Sequence, residues 1–78
     1  MDTIKQLETY LETELKFLAV GLANETDLIQ RSNIAWYCVQ RCMGATQFAN
    51  QLGVDFGIVE QMFEAFKAKA LEMAENGA

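Results

Sequence analysis

The stretch from Thr26 to Leu52, TDLIQRSNIAWYCVQRCMGATQFANQL, most constrains what this chain can fold into. It holds no proline, and Gly53 follows it directly. At 100° per residue, Ile34, Ala35, Cys38, Val39, Cys42, Met43, Ala45, Ala49 and Leu52 share one broad arc, with Trp36 at its edge. That arc is wider than the roughly 100° stripe of a one-sided surface helix. Asn33, Gln40, Arg41, Gln47 and Gln51 lie opposite, interrupted by Tyr37, Gly44 and Phe48. A rod this apolar needs cover on two sides. Ala35, Cys38, Cys42, Ala45 and Ala49 are small enough for a second helix to approach to about 8 Å. Ser32-Asn33 offers a cap that would split the segment, but the unbroken pattern favours one helix over 26–52.

Helices are expected on both sides of it. Asp2 or Thr3 can cap a first helix over 3–23, whose inner stripe is Ile4, Leu7, Leu11, Leu15, Leu18 and Leu22. Tyr10, Phe17 and Gly21 form a second stripe beside it. The link from Ala23 to Thr26 is short and polar, with Asn24 or Thr26 as the next cap, so the first two helices should be antiparallel neighbours. Gly53 suits the left-handed residue just past a helix end, with Val54 reaching back to Ala49. Asp55 then caps a third helix over 56–73, and Val54 and Val59 have the spacing of a hydrophobic staple. Phe56, Val59, Met62, Phe63, Phe66, Ala70 and Met73 make its inner side; Glu60, Gln61, Glu64, Lys67, Ala68 and Glu72 make its outer side. Glu75 to Ala78 are expected to fray. The fold class is therefore all-α: a three-helix bundle in one domain over 1–78, with a tight second corner.

Size and charge narrow the function. A chain of 78 residues buries only about 60% of its unfolded surface, yet 51% of this one is hydrophobic. Homodimerisation through the central helix is the simplest cover. Eleven acids against six bases give a net charge of −5, which repels nucleic acid and anionic lipid. Met1 leads into acidic, helix-forming residues rather than a basic and apolar leader, and the uncharged run Phe17–Ala23 is too short to span a bilayer. A cytoplasmic protein without membrane contact is expected.

Chemistry is sparse. With no histidine, a single serine (Ser32) and two cysteines, no nucleophile–base–orienter set can be written, so no catalytic residues and no enzyme are expected. Glu8/Glu12 and Glu60/Glu64 read as solvated helix faces, and no glycine-rich phosphate loop or cofactor motif exists. Cys38 and Cys42 stand at i and i+4, where a disulfide would distort the helix. They read as small buried residues; a tetrahedral metal site would need two chains meeting at a two-fold axis, and no metal or cofactor is expected.

One motif carries a resemblance. Ala49, Leu52-Gly53-Val54 and Val59 set an alanine, a glycine four residues on and a β-branched residue six further. This resembles the helix-turn-helix of bacterial repressors over residues 45–64, where the alanine permits close packing and the glycine makes the turn. The resemblance implies a DNA-binding regulator as an alternative. The would-be reading helix, however, opens Asp55-Phe56-Gly57-Ile58-Val59-Glu60 and meets its first base at Lys67, so nucleic acid is a disfavoured partner. The favoured reading is a small acidic, non-enzymatic regulatory module that binds protein, itself or a heterologous partner. Its candidate interface is Tyr10, Phe17, Trp36, Tyr37, Arg41, Gly44 and Phe48, since tyrosine, tryptophan and arginine most often anchor interfaces, although Trp36 and Phe48, taken singly, read rather as completing the bundle core.

Overall fold

Three helices account for almost all of the computed structural model, which describes residues 2–76: α1 (Thr3–Leu22), α2 (Leu28–Gln51) and α3 (Phe56–Asn76). The central segment is one unbroken helix. Asp2 starts α1, its Oδ1 accepting from the Ile4 and Lys5 amides at 3.0 and 3.3 Å. The second cap differs from expectation: Asp27, not Asn24 or Thr26, accepts from the Ile29 amide at 2.8 Å. The carboxylate nearest the orphan amides wins that position, and α2 begins at Leu28. Glu75 and Asn76 continue α3 instead of fraying, while Gly77 and Ala78 lie outside the described residues.

The second corner forms as its residues dictate. Gly53 has φ +106°, its amide donates to Asn50 O at 3.0 Å, and the Val54 amide donates to Ala49 O at 3.2 Å. These are the paired bonds of a Schellman ending. Asp55 then caps α3 through the Gly57 amide at 2.8 Å, and Val54 and Val59 are both buried. Only glycine holds this φ without strain, so Gly53→Ala is expected to remove about 1–2 kcal/mol of stability, measurable by urea unfolding.

The helices run up, down and up. Arg31 near the start of α2 meets Leu22 at the end of α1, Glu14 bonds Arg41 midway, and Arg31 also meets Met73 and Ala74 at the end of α3. The α2–α3 interface is the most extensive of the three. The bundle is a rod of 40 × 18 × 15 Å with a radius of gyration of 13.0 Å, against about 11.5 Å for a compact domain of this length. A rod has more surface to cover per unit volume, and this one leaves many large apolar side chains outside.

Its core is Leu7, Leu11, Leu18 and Leu22 from α1, Ala35, Cys38, Val39, Cys42 and Ala49 from α2, and Val59, Phe66, Ala70 and Ala74 from α3, with Val54 at the corner. Three expected core residues are exposed: Met43, Leu52 and Phe56. The true centre of the α2 arc runs through Arg31, Ala35, Cys38, Cys42, Thr46 and Ala49. Met43 and Leu52 stand roughly 90° to either side of that line, past the edges that α1 and α3 cover. Phe56 occupies the first helical position after the corner and turns outward into the α2–α3 groove beside Gln51 and Glu60.

The core also contains a cation. Arg31 is 5% exposed and has no carboxylate partner. Its guanidinium donates to four backbone carbonyls: Leu22 at 2.7 Å, Glu25 at 2.6 Å, Ala74 at 2.9 Å and Met73 at 3.1 Å. Leu22, Met73 and Ala74 belong to the last turns of α1 and α3, where carbonyls lack intrahelical donors and the helix dipoles end negative. One side chain of α2 thereby closes the C-termini of both neighbours. Among the described residues no buried side-chain polar atom is left without a partner.

Candidate interaction face and the thiol–carboxylate cluster

Tyr37, Arg41, Gly44 and Phe48 recur at i, i+4, i+7 and i+11, so they form one straight stripe along α2. All four are exposed, Tyr37 at 68% and Phe48 at 60%. Tyr10, Glu14, Phe17 and Gly21 repeat that spacing on α1, and Phe17 is 65% exposed. Because α1 and α2 are antiparallel, the stripes lie side by side. Phe17 and Tyr37 line one groove between the helices, and Tyr10 and Phe48 line another toward the opposite end.

Glu14 and Arg41 are the only charged residues of the two stripes, and they neutralise each other. Arg41 Nε donates to Glu14 Oε2 at 3.2 Å and Nη2 to the same oxygen at 2.5 Å. The Arg41 guanidinium also lies 5.7 Å from the Tyr37 ring centroid. Hydrogen bonding to the Glu14 carboxylate holds the Arg41 pKa above its ordinary value. An electroneutral aromatic face on a protein of net charge −5 can meet a second acidic surface without like-charge repulsion.

Six of the seven candidate residues thus share one face. Trp36 does not. It points toward α3, where Lys67 Nζ sits 5.6 Å from its ring and Leu28, Ser32, Leu71 and Ala74 complete a separate groove. Gly44 is notable for what surrounds it: a Cβ built there meets nothing within 4 Å. The fold does not require glycine at that position, although glycine in a helix interior costs about 1 kcal/mol against alanine.

Beneath the Glu14–Arg41 pair lies a cluster that the sequence does not announce. Cys38 and Cys42 are buried and reduced, and Glu14 of α1 reaches them across the helix interface. Cys38 Sγ is 3.8 Å from Glu14 Oε2 and 4.0 Å from Glu14 O. One donor atom from each of Glu14, Cys38 and Cys42 lies within 4.8 Å of the other two. A third metal-ligating group therefore comes from the same chain, where the sequence reading looked to a second copy for further donors. The i,i+4 spacing exposed the thiols; the carboxylate stands 24 residues from Cys38 in sequence and only the α1–α2 register brings it in.

Burial pushes the Cys42 thiol up to about 12, with Cys38 and Glu14 adding to the effect, and burial raises Cys38 as well. Tyr10 is raised, chiefly by desolvation and then by Glu14. A thiol held protonated in the folded chain but released near its ordinary value when unfolded favours folding below that value. Stability is then lost between the ordinary thiol range and about 12, at up to about 1.4 kcal/mol per pH unit for Cys42. The chain should unfold on alkaline titration in this window, and Cys42→Ala should flatten the curve.

Compared with protein families, curated proteins and solved structures, the chain matches none of them. Among the described residues no helix is long and apolar enough to cross a membrane. The helix-turn-helix resemblance extends to the corner alone. Beyond Gly53, α2 and α3 stay together as far as the Arg31–Ala74 bond, an αα-hairpin rather than a pair crossing at about 90–120°.

Proposed function

We propose that this protein is a non-enzymatic interaction module that binds protein through the face made by Tyr10, Phe17, Tyr37, Arg41, Gly44 and Phe48, and that its first partner is a second copy of itself. The observation that carries the reading is the α2 stripe: two large exposed aromatics flank an unneeded glycine on a helix middle free of unpaired charge. Two such stripes related by a two-fold axis near Gly44 would place the Tyr37 of one copy toward the Phe48 of the other. The missing Cβ then lets the helices approach closely. Regulation would follow from occupying the face, by self-association or by a heterologous partner.

Sedimentation equilibrium across a wide concentration range tests this directly. A reversible monomer–dimer transition is expected. A monomer at every concentration, together with no surface-dependent binding of other proteins, would overturn the reading.

A further inference from the structure

The Glu14–Cys38–Cys42 cluster has the composition and spacing of a metal site. We propose that these three side chains bind one divalent ion of the zinc class per chain, with a fourth position left for water or an incoming ligand. Tetrahedral coordination with Zn–S near about 2.3 Å and Zn–O near about 2.0–2.2 Å sets neighbouring donor atoms about 3.5–3.8 Å apart. The present set spans no more than 4.8 Å, and the Cys38–Glu14 pair already stands at 3.8 Å. Rotation of side chains alone closes the rest. Two sulfurs and one oxygen suit a borderline-soft ion such as zinc and not calcium or magnesium, which prefer oxygen alone.

Charge and support also fit. Two thiolates, the Glu14 carboxylate, the Arg41 guanidinium and a divalent cation sum to zero, so the loaded cluster brings no net charge beneath the aromatic face. Arg41 grips Glu14 by two nitrogens, an outer-shell contact that orients the ligating carboxylate. Cys38 and Cys42 project from consecutive turns of one helix with their backbone fixed by the α2–α3 packing, so two of the three donors are already placed. Binding replaces two S–H protons by two metal–sulfur bonds and releases both protons to solvent. Tyr10 and Glu14 on α1 and Arg41 on α2 are the titratable groups around the thiols. Two protons displaced per ion make the affinity rise by about a hundredfold per pH unit while both thiols remain protonated in the free chain.

The test uses the reduced 78-residue chain and cobalt(II) as a coloured stand-in for zinc. Expected are a thiolate-to-cobalt charge-transfer band saturating at one ion per chain, the strong visible bands of tetrahedral cobalt, bleaching by zinc, and two protons released per ion in weak buffer. Cys38→Ala and Cys42→Ala should each abolish the band with the far-ultraviolet helical signal kept. Glu14→Gln should weaken binding at least tenfold. No thiolate band, unchanged affinity in Glu14→Gln, or saturation at one ion per two chains would each overturn the single-chain site. Should the cysteine variants fail to fold, Glu14→Gln and the stoichiometry decide alone. Neither readout depends on dimer formation, so this site and the interaction face stand or fall separately.

Discussion

Arg31→Met is expected to lower the stability of the chain by about 3–5 kcal/mol, because four backbone carbonyls lose a charged hydrogen-bond donor at once. Methionine keeps most of the volume but donates nothing. The carbonyls of Leu22, Glu25, Met73 and Ala74 then lose a charged donor at a site where Arg31 itself admits little water. Each orphaned acceptor costs about 1–3 kcal/mol, less than additively because Leu22 O also accepts from the Glu25 amide. A domain of this length has about 4–12 kcal/mol in total, so the variant should sit near the edge of folding. Arg31→Lys should recover only part of the loss. An ammonium is a point donor and cannot fork between the ends of two helices and a loop. Urea unfolding followed by circular dichroism measures the change, with the midpoint falling and the slope held. A loss under about 1 kcal/mol would show that water satisfies those carbonyls as well as the guanidinium does.

The second large effect concerns association. Tyr37→Ser combined with Phe48→Ser should raise the dissociation constant of the proposed dimer more than about a hundredfold, since aromatic anchors at an interface centre commonly contribute about 2 kcal/mol or more each. Both side chains are mostly exposed, so the stability of the monomer should move by no more than about 0.5 kcal/mol. Gly44→Ala separates the two quantities by sign. A methyl group there meets none of the chain's own atoms, so the helix should gain about 0.5–1 kcal/mol while the dimer weakens. If Gly44→Ala stabilises the chain and leaves sedimentation unchanged, the close approach at that glycine is wrong. If the double serine variant still dimerises like the parent, the face is wrong altogether.

Much of the architecture is legible in local signals. The leucine stripe of α1, the Gly53–Val54–Asp55 corner and the alternation of apolar and acidic sides on α3 each depend on residues within one or two turns of each other. They reappear with the expected partners. The exposure of Tyr37 is legible too, because a wheel of α2 puts it opposite the small residues; Phe48, which taken singly reads as completing the core, is exposed instead because it shares that outer stripe. Arg31 carries a signal in the sequence: it stands four residues before Ala35 on the arc through Cys38 and Cys42, so a charge occupies an inward position. What it would bond there was not readable, since its acceptors are backbone atoms of two other helices. Trp36 stands apart from the other candidates for a related reason. It lies on the edge of the arc, and whether an edge residue faces α1, α3 or solvent depends on how the helices are rotated in the bundle.

The chain's own periodicity and punctuation settle that it makes three helices, where each one starts and stops within a few residues, and which side of each is apolar. Those are consequences of hydrogen bonding and side-chain spacing over a few residues, so the sequence alone carries them. Tertiary structure decides which helix ends converge on Arg31, that Glu14 arrives beside two thiols, and that the stripes of α1 and α2 join into one electroneutral face. These depend on the register and rotation of helices packed side by side, which arise from the sum of many weak contacts between residues far apart in the chain.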